Sequence, residues 1–60
     1  PKSVTLPLEA STTVGYHFRP PKGASWLLEA SLIHLLSLGD ELIAFAYIRD
    51  KSLLRRGPYA

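Results

Sequence analysis

The side chains that could carry acid–base, metal or nucleophilic chemistry are few and widely spaced. The two histidines, His17 and His34, have no aspartate, glutamate or cysteine close to them in the sequence. Asp40 and Glu41 are adjacent, so on a strand they would point to opposite faces and could not act as an acid–base pair. The chain has no cysteine, no Gly-rich phosphate loop and no G-x-S-x-G motif. The sequence therefore predicts a protein that is not an enzyme and that has neither a metal site nor a cofactor.

Positive charge is concentrated at the C-terminal end of the chain. Residues 49–60 hold four basic residues and one acidic residue, net +3, whereas residues 1–48 hold three basic and four acidic residues, net −1. Clustered cations are typical of surfaces that contact nucleic-acid phosphates, although they also keep an apolar chain soluble. The first interpretation predicts DNA or RNA as the partner, contacted by Arg19, Lys22, Arg49, Lys51, Arg55 and Arg56.

The small size of the chain bears on its assembly and its location. A domain of 60 residues buries only about 60% of the surface that its unfolded chain exposes. Without cysteine, disulfides cannot supply the missing stability, so we expect a single small domain that forms an obligate homo-oligomer. Residues 1–13 lack the pattern of an export signal, and charges interrupt the apolar stretch at 24–48. These features predict a cytoplasmic protein with no membrane span.

A period of two in the apolar residues dominates the chain and indicates strands. It predicts five short strands, near residues 3–9, 13–19, 25–32, 41–49 and 52–56, in an all-β or mainly β fold. The expected architecture is a small barrel or β-roll. Residues 25–38 leave an alternative open, because leucine, alanine and glutamate also favour helix. A single helix at 25–38 would make the fold α+β.

Two of these segments are apolar on both faces. The predicted strand at 41–49 contains a seven-residue apolar run, and residues 33–36 are apolar on both sides apart from His34. Because a small domain has only one core, the second face points to contact with another subunit. The predicted oligomer interface consists of Ile33, Leu35, Leu36, Ile43, Phe45 and Tyr47.

Parts of the sequence resemble known families. Residues 38–42, followed by a strand, a turn and a strand that ends in Arg56-Gly57, resemble the C-terminal hairpin of swapped-hairpin DNA-binding regulators of the AbrB and MazE type. A similar order is seen in the ring-forming trp RNA-binding attenuation protein. Both resemblances cover about the last third of the chain and imply an oligomer that binds nucleic acid. Pro1 resembles the catalytic proline of the small tautomerases, in which the free amine acts as the base.

Four functions follow from these observations. The first is an oligomeric nucleic-acid-binding or regulatory protein whose basic C-terminal hairpin contacts phosphates. The alternative is a protein-interaction or structural subunit that assembles through its apolar strand faces. Two minor alternatives are a small-molecule site between subunits, lined by Trp26, Tyr47 and His34, and a tautomerase that depends on Pro1.

Overall fold

The computed structural model describes residues 11–14 and 17–60. The predicted strand near residues 3–9, and Pro1 with it, lie outside the described residues. Four strands form one antiparallel sheet in the order β1-β2-β3-β4. The elements are β1 (Ser11–Thr13), a 3₁₀ helix (Lys22–Glu29), β2 (Leu32–Leu38), β3 (Glu41–Tyr47) and β4 (Leu53–Pro58). The prediction of a mainly β fold is confirmed, but the described residues form an open sheet of four strands, so a closed barrel or a fifth strand is not shown.

Two tight turns connect the three longer strands. Gly39 begins the turn between β2 and β3 with a φ of 61°, a conformation that a residue without Cβ adopts at no steric cost. The pairing of Leu38 with Glu41 follows directly from this two-residue connection. The predicted strand at 41–49 is present as β3 but ends at Tyr47, because residues 48–52 form the next turn. The predicted strand at 52–56 is β4, which begins one residue later and extends to Pro58.

The two other predicted strands are wrong in part. The strand predicted at 13–19 is not formed beyond Thr13 in the described residues, and residues 17–20 follow an irregular path. The strand predicted at 25–32 is replaced by the 3₁₀ helix, and β2 begins only at Leu32. The alternative of one helix across 25–38 is also wrong, since residues 32–38 are strand.

The spacing of buried residues explains the 3₁₀ helix. Ala24 and Leu27 have no exposed surface and Ala30 is buried, so the inward positions are three residues apart. A spacing of three does not match a strand and is typical of 3₁₀ turns, which have three residues per turn. The helix is kinked at Ala24, whose backbone is not helical (φ −120°, ψ 31°), and Ala30 follows its last residue in an extended conformation. The backbone N–H of Ala30 donates to the carbonyl of Leu27 at 3.0 Å and ends the helix. The period-two interpretation had placed Leu28 inward, whereas its side chain is 63% exposed.

The core lies between the 3₁₀ helix and one face of the sheet. From the sheet it receives Ile33, Leu35, Ala44 and Ala46, which alternate along β2 and β3 as the pleat requires. The remaining buried residues of this core are Phe18, Ala24, Leu27 and Ala30. Among the described residues this core has eight members, of which half are alanines, so these residues bury little apolar surface. In the described part of the chain, no helix is long and apolar enough to cross a membrane.

Candidate functional site

The face of the sheet opposite the core is apolar, and no described element packs on it. Its members alternate with the buried residues of β2 and β3, and the register pairs Leu32 with Tyr47 and Leu36 with Ile43. These side chains are half-buried. We call this surface the open face and define it by Leu32, His34, Leu36, Glu41, Ile43, Phe45, Tyr47 and Arg56.

A row of three paired residues, of which His34 and Arg56 are polar, crosses the middle of the open face. His34 stacks on Phe45, with ring centroids 5.5 Å apart and an interplanar angle of 30°. Phe45 is in turn paired with Arg56 of β4. Glu41 lies on the same face at the start of β3, opposite Leu38. The open face therefore has one cationic and one anionic residue in an otherwise largely apolar and aromatic surface.

The structure divides the predicted oligomer interface between the two faces. Ile33 and Leu35 are 0% and 1% exposed inside the core, so they are not available to a partner in this structure. This part of the prediction is corrected, because neighbouring residues of a strand point to opposite faces. Leu36, Ile43, Phe45 and Tyr47 lie on the open face as one surface.

The predicted phosphate contacts are all exposed but lie in different places. Arg19 precedes the 3₁₀ helix and Lys22 begins it. Arg55 and Arg56 are neighbours on β4 and project from opposite faces of the sheet. Among the six residues, Arg49 and Lys51 are brought together in the β3–β4 turn, around one groove.

Arg55 belongs to an aromatic contact on the core side of the sheet. Its guanidinium carbon lies 4.8 Å from the centroid of the Trp26 ring. Gly57, two residues further along β4, lies against the same indole, since an added Cβ would come within 3.3 Å of Trp26 Cζ2. Trp26 is therefore on the opposite side of the sheet from His34 and Tyr47. The predicted small-molecule groove between subunits would need different subunits to supply these residues, and it stays a prediction.

A groove lies at the end of the sheet where β2 begins and β3 ends. It has a volume of about 490 Å³, and its polar lining residues are Thr13, Ser31, Arg49 and Lys51. Its apolar lining residues are Val14, Ala30, Leu32 and Ile48. Both cations were predicted from the sequence, but the groove was not, because Ser31 and Thr13 reach it only through the pairing of β1 with β2.

The β3–β4 turn holds its acidic residue away from this groove. The backbone N–H of Ser52 donates to Oδ1 of Asp50 at 2.8 Å. Hydrogen bonding from Ser52, through its side chain and its backbone, lowers the pKa of Asp50. Asp50 does not line the groove, and none of the groove's lining residues carries a carboxylate that could neutralise Arg49 and Lys51.

Comparison of this chain with protein-family models, curated proteins and solved structures found no match. Within the described ranges, no three histidine, aspartate or glutamate side chains are grouped so that they could hold a metal ion. The open face and the groove are thus the two surfaces on which a functional argument rests.

Proposed function

We propose that this chain is an interaction module that assembles by placing the open face of one copy against the open face of another. The observation that carries the proposal is the apolar surface formed by Leu32, Leu36, Ile43, Phe45 and Tyr47, on which no described element packs. Large contiguous apolar surfaces on small proteins mark sites of association. Two sheets packed face to face about 10 Å apart would remove these side chains from water.

The core formed by the described residues is small. Its three largest fully buried side chains are Leu27, Ile33 and Leu35, and half of its eight residues are alanines. Full burial of a large apolar side chain contributes about 1.5–3 kcal/mol. Several half-buried side chains on the open face thus offer stabilisation comparable with that of the core itself. Association would add the apolar burial, and hence the stability, that a chain of 60 residues gains only in part from its own core.

The charges of the open face favour a second copy as the occupant. A two-fold axis brings identical surfaces together, so a surface that binds itself must be complementary to itself. Glu41 and Arg56 give the open face one charge of each sign, at different positions. Two copies related by such an axis can place each Glu41 near the partner's Arg56, whereas two faces with charges of one sign would repel.

The test is the mass of the full chain in solution. We expect a dimer by multi-angle light scattering at about 10–100 µM, a range in which interfaces of standard size are occupied. Because the driving force is apolar, the dimer should persist when salt is raised to about 1 M, where the Debye length is about 3 Å. A monomer across this range would contradict the proposal and would mean that the open face is covered within one chain.

A second candidate function is nucleic-acid binding, and one observation favours it. Arg55 and Trp26 combine a cation with an aromatic ring on the side of the sheet that self-association leaves accessible. Aromatic rings beside cations are a common platform for single-stranded nucleic acid. We propose that Arg19, Lys22, Arg49, Lys51 and Arg55 contact phosphates, and that Arg56 lies in the dimer interface.

This second candidate predicts a steep salt dependence. A mixed-sequence, fluorescently labelled single strand should bind at about 50 mM salt and lose most of its affinity at about 200 mM, because binding releases condensed counterions. Arg55→Ala should weaken binding, and Glu29→Gln, a change on the same side of the sheet, should not. Absence of binding at low salt, or binding that does not change with salt, would exclude the phosphate-contact mechanism.

A further inference from the structure

The groove beside the β3–β4 turn combines charge and apolar surface in a way that suggests a ligand. Arg49 and Lys51 bring two positive charges to it, and Thr13 and Ser31 bring hydroxyl groups that can donate hydrogen bonds. Ile48 and Val14 supply apolar surface in the same groove, on residues that do not belong to the open face. Its volume of about 490 Å³ lies within the range of about 300–1,000 Å³ that small-molecule sites occupy.

The backbone at Lys51 is a second and independent observation. Lys51 has a φ of 70°. Among the residues that the structure describes, it is the only non-glycine residue in the left-handed region. Its N–H donates to the carbonyl of Ile48 at 2.9 Å, and the N–H of Ile48 donates to the carbonyl of Ser52 at 3.0 Å. This position in a three-residue hairpin loop favours glycine, because any Cβ is strained there. The chain therefore has a lysine at a site where a smaller residue would be more stable.

Strained residues occur most often where the strain serves a function. The surrounding turn strengthens this argument, because the Ser52 N–H holds the carboxylate of Asp50 at 2.8 Å and Asp50 does not line the groove. The turn thus presents its two cations to the groove and holds its acidic side chain elsewhere. Nothing in the hydrogen bonding of the turn requires the Lys51 side chain.

We propose that this groove binds a phosphate ester, with the phosphate between Arg49 and Lys51 and the organic part on the apolar surface of Ile48 and Val14. A phosphate monoester carries up to two negative charges and three acceptor oxygens, which matches two cations and two hydroxyl groups. The ester can be a free nucleotide or the terminal phosphate of a nucleic-acid strand. The inference does not depend on self-association, because each lining residue comes from one chain.

The first part of the test compares ligands on the full chain by calorimetric titration. The probes are adenosine monophosphate, adenosine and inorganic phosphate. We expect the monophosphate to bind at least about 10-fold more tightly than either fragment, since each fragment fills only one part of the groove. Equal affinity for adenosine and its monophosphate, or no binding of the monophosphate at millimolar concentration, would overturn the proposal.

The second part uses a variant that is expected to fold better than the natural chain. Lys51→Gly relieves the left-handed strain and should raise the unfolding temperature by about 2–8 °C. The same change removes a cation from the groove and should weaken monophosphate binding at least about 5-fold. If Lys51 had only a structural role, Lys51→Gly would not both raise the unfolding temperature and weaken monophosphate binding. Unchanged affinity in Lys51→Gly would overturn the proposal.

Two further variants control for charge and for folding. Arg49→Gln keeps the turn backbone and should weaken binding to a similar extent, which keeps the test valid if glycine at position 51 alters the turn. Glu29→Gln changes the net charge by one unit at the end of the 3₁₀ helix, outside the groove, and should leave affinity unchanged. A change in affinity in Glu29→Gln as large as that in Arg49→Gln would show a general charge effect and would contradict a site at the turn.

The source of the phosphate is decided by competition. A 5′-phosphorylated oligonucleotide that displaces the monophosphate identifies a strand terminus as a ligand of the groove. An oligonucleotide that binds without displacing it places strand binding elsewhere, as in the second candidate function, and leaves the groove to free esters. Either outcome supports the phosphate-ester site, which is contradicted only by the ligand and variant results above.

Discussion

Replacing Phe45 by lysine should convert the protein to a folded monomer. Phe45 lies in the middle of the open face, stacked on His34 and paired with Arg56. A lysine there would place a second cation beside Arg56 in each copy, so the two-fold arrangement would bring four cations together. An unpaired charge in a desolvated contact costs several kcal/mol. We expect the dissociation constant to rise at least about 100-fold, equivalent to about 2.7 kcal/mol.

The fold should tolerate this change, because Phe45 is not one of the core residues. Like charges on paired strands cost about 0.2–1 kcal/mol, so the circular dichroism spectrum should remain that of the natural chain. Leu28→Lys is the matched control, since Leu28 is 63% exposed, more than any other large apolar residue that the structure describes, and lies on the 3₁₀ helix. Light scattering should give a dimer for the control and a monomer for Phe45→Lys. Equal masses for the two variants would refute assembly through the open face.

The largest expected effect on stability comes from Leu27→Ala. Leu27 is completely buried between the 3₁₀ helix and the sheet, and it is one of three large side chains buried to this extent. Replacing a buried leucine by alanine costs about 2–5 kcal/mol. A domain of this size has a total stability near the lower end of about 5–15 kcal/mol. We therefore expect Leu27→Ala to lose a large part of its unfolding free energy, so that its urea midpoint falls well below that of the natural chain.

The adjacent residue provides a sharp control for this prediction. Leu28→Ala makes the same chemical change at an exposed position and should shift the unfolding free energy by less than about 0.5 kcal/mol. Urea titrations followed by circular dichroism measure both variants. A strand at 25–32 would reverse the order, because its period of two places Leu28 inward and Leu27 outward. A larger loss in Leu28→Ala than in Leu27→Ala would thus contradict the 3₁₀ helix.

The sequence predicted those elements whose signals are local. The turn after β2 has a positive φ at Gly39, a conformation that glycine adopts readily, so this glycine marks the turn in the sequence. The apolar run that follows it is the strand β3. The helix was missed because its signal is a spacing of three between Ala24, Leu27 and Ala30, two of which are small. Small residues carry little weight in a hydrophobic pattern, although here they allow the helix to lie close to the sheet.

The candidate site was predicted less well than the fold, for a physical reason. A sequence pattern shows that both faces of β2 and β3 are apolar but not which face the helix covers, so Ile33 was grouped with Leu36. Arg55 and Arg56 were grouped by adjacency, although the period of two already places them on opposite faces. The groove at the turn depends on pairing between β1 and β2, and no local pattern reveals such a contact.

The position of β4 at an edge of the described sheet bears on whether further strands can add there. β4 is the last strand of the described sheet, so its outer backbone groups are unpaired there. Such an edge is a template for the addition of further strands and for fibril growth. Two arginines lie on β4, and Pro58 at its end has no N–H to donate to a further strand. The register shift between Ala46 and Tyr47 also makes the pairing of β3 with β4 irregular. These features discourage edge-to-edge polymerisation through β4, so the proposed face-to-face association would not extend along this edge into a filament.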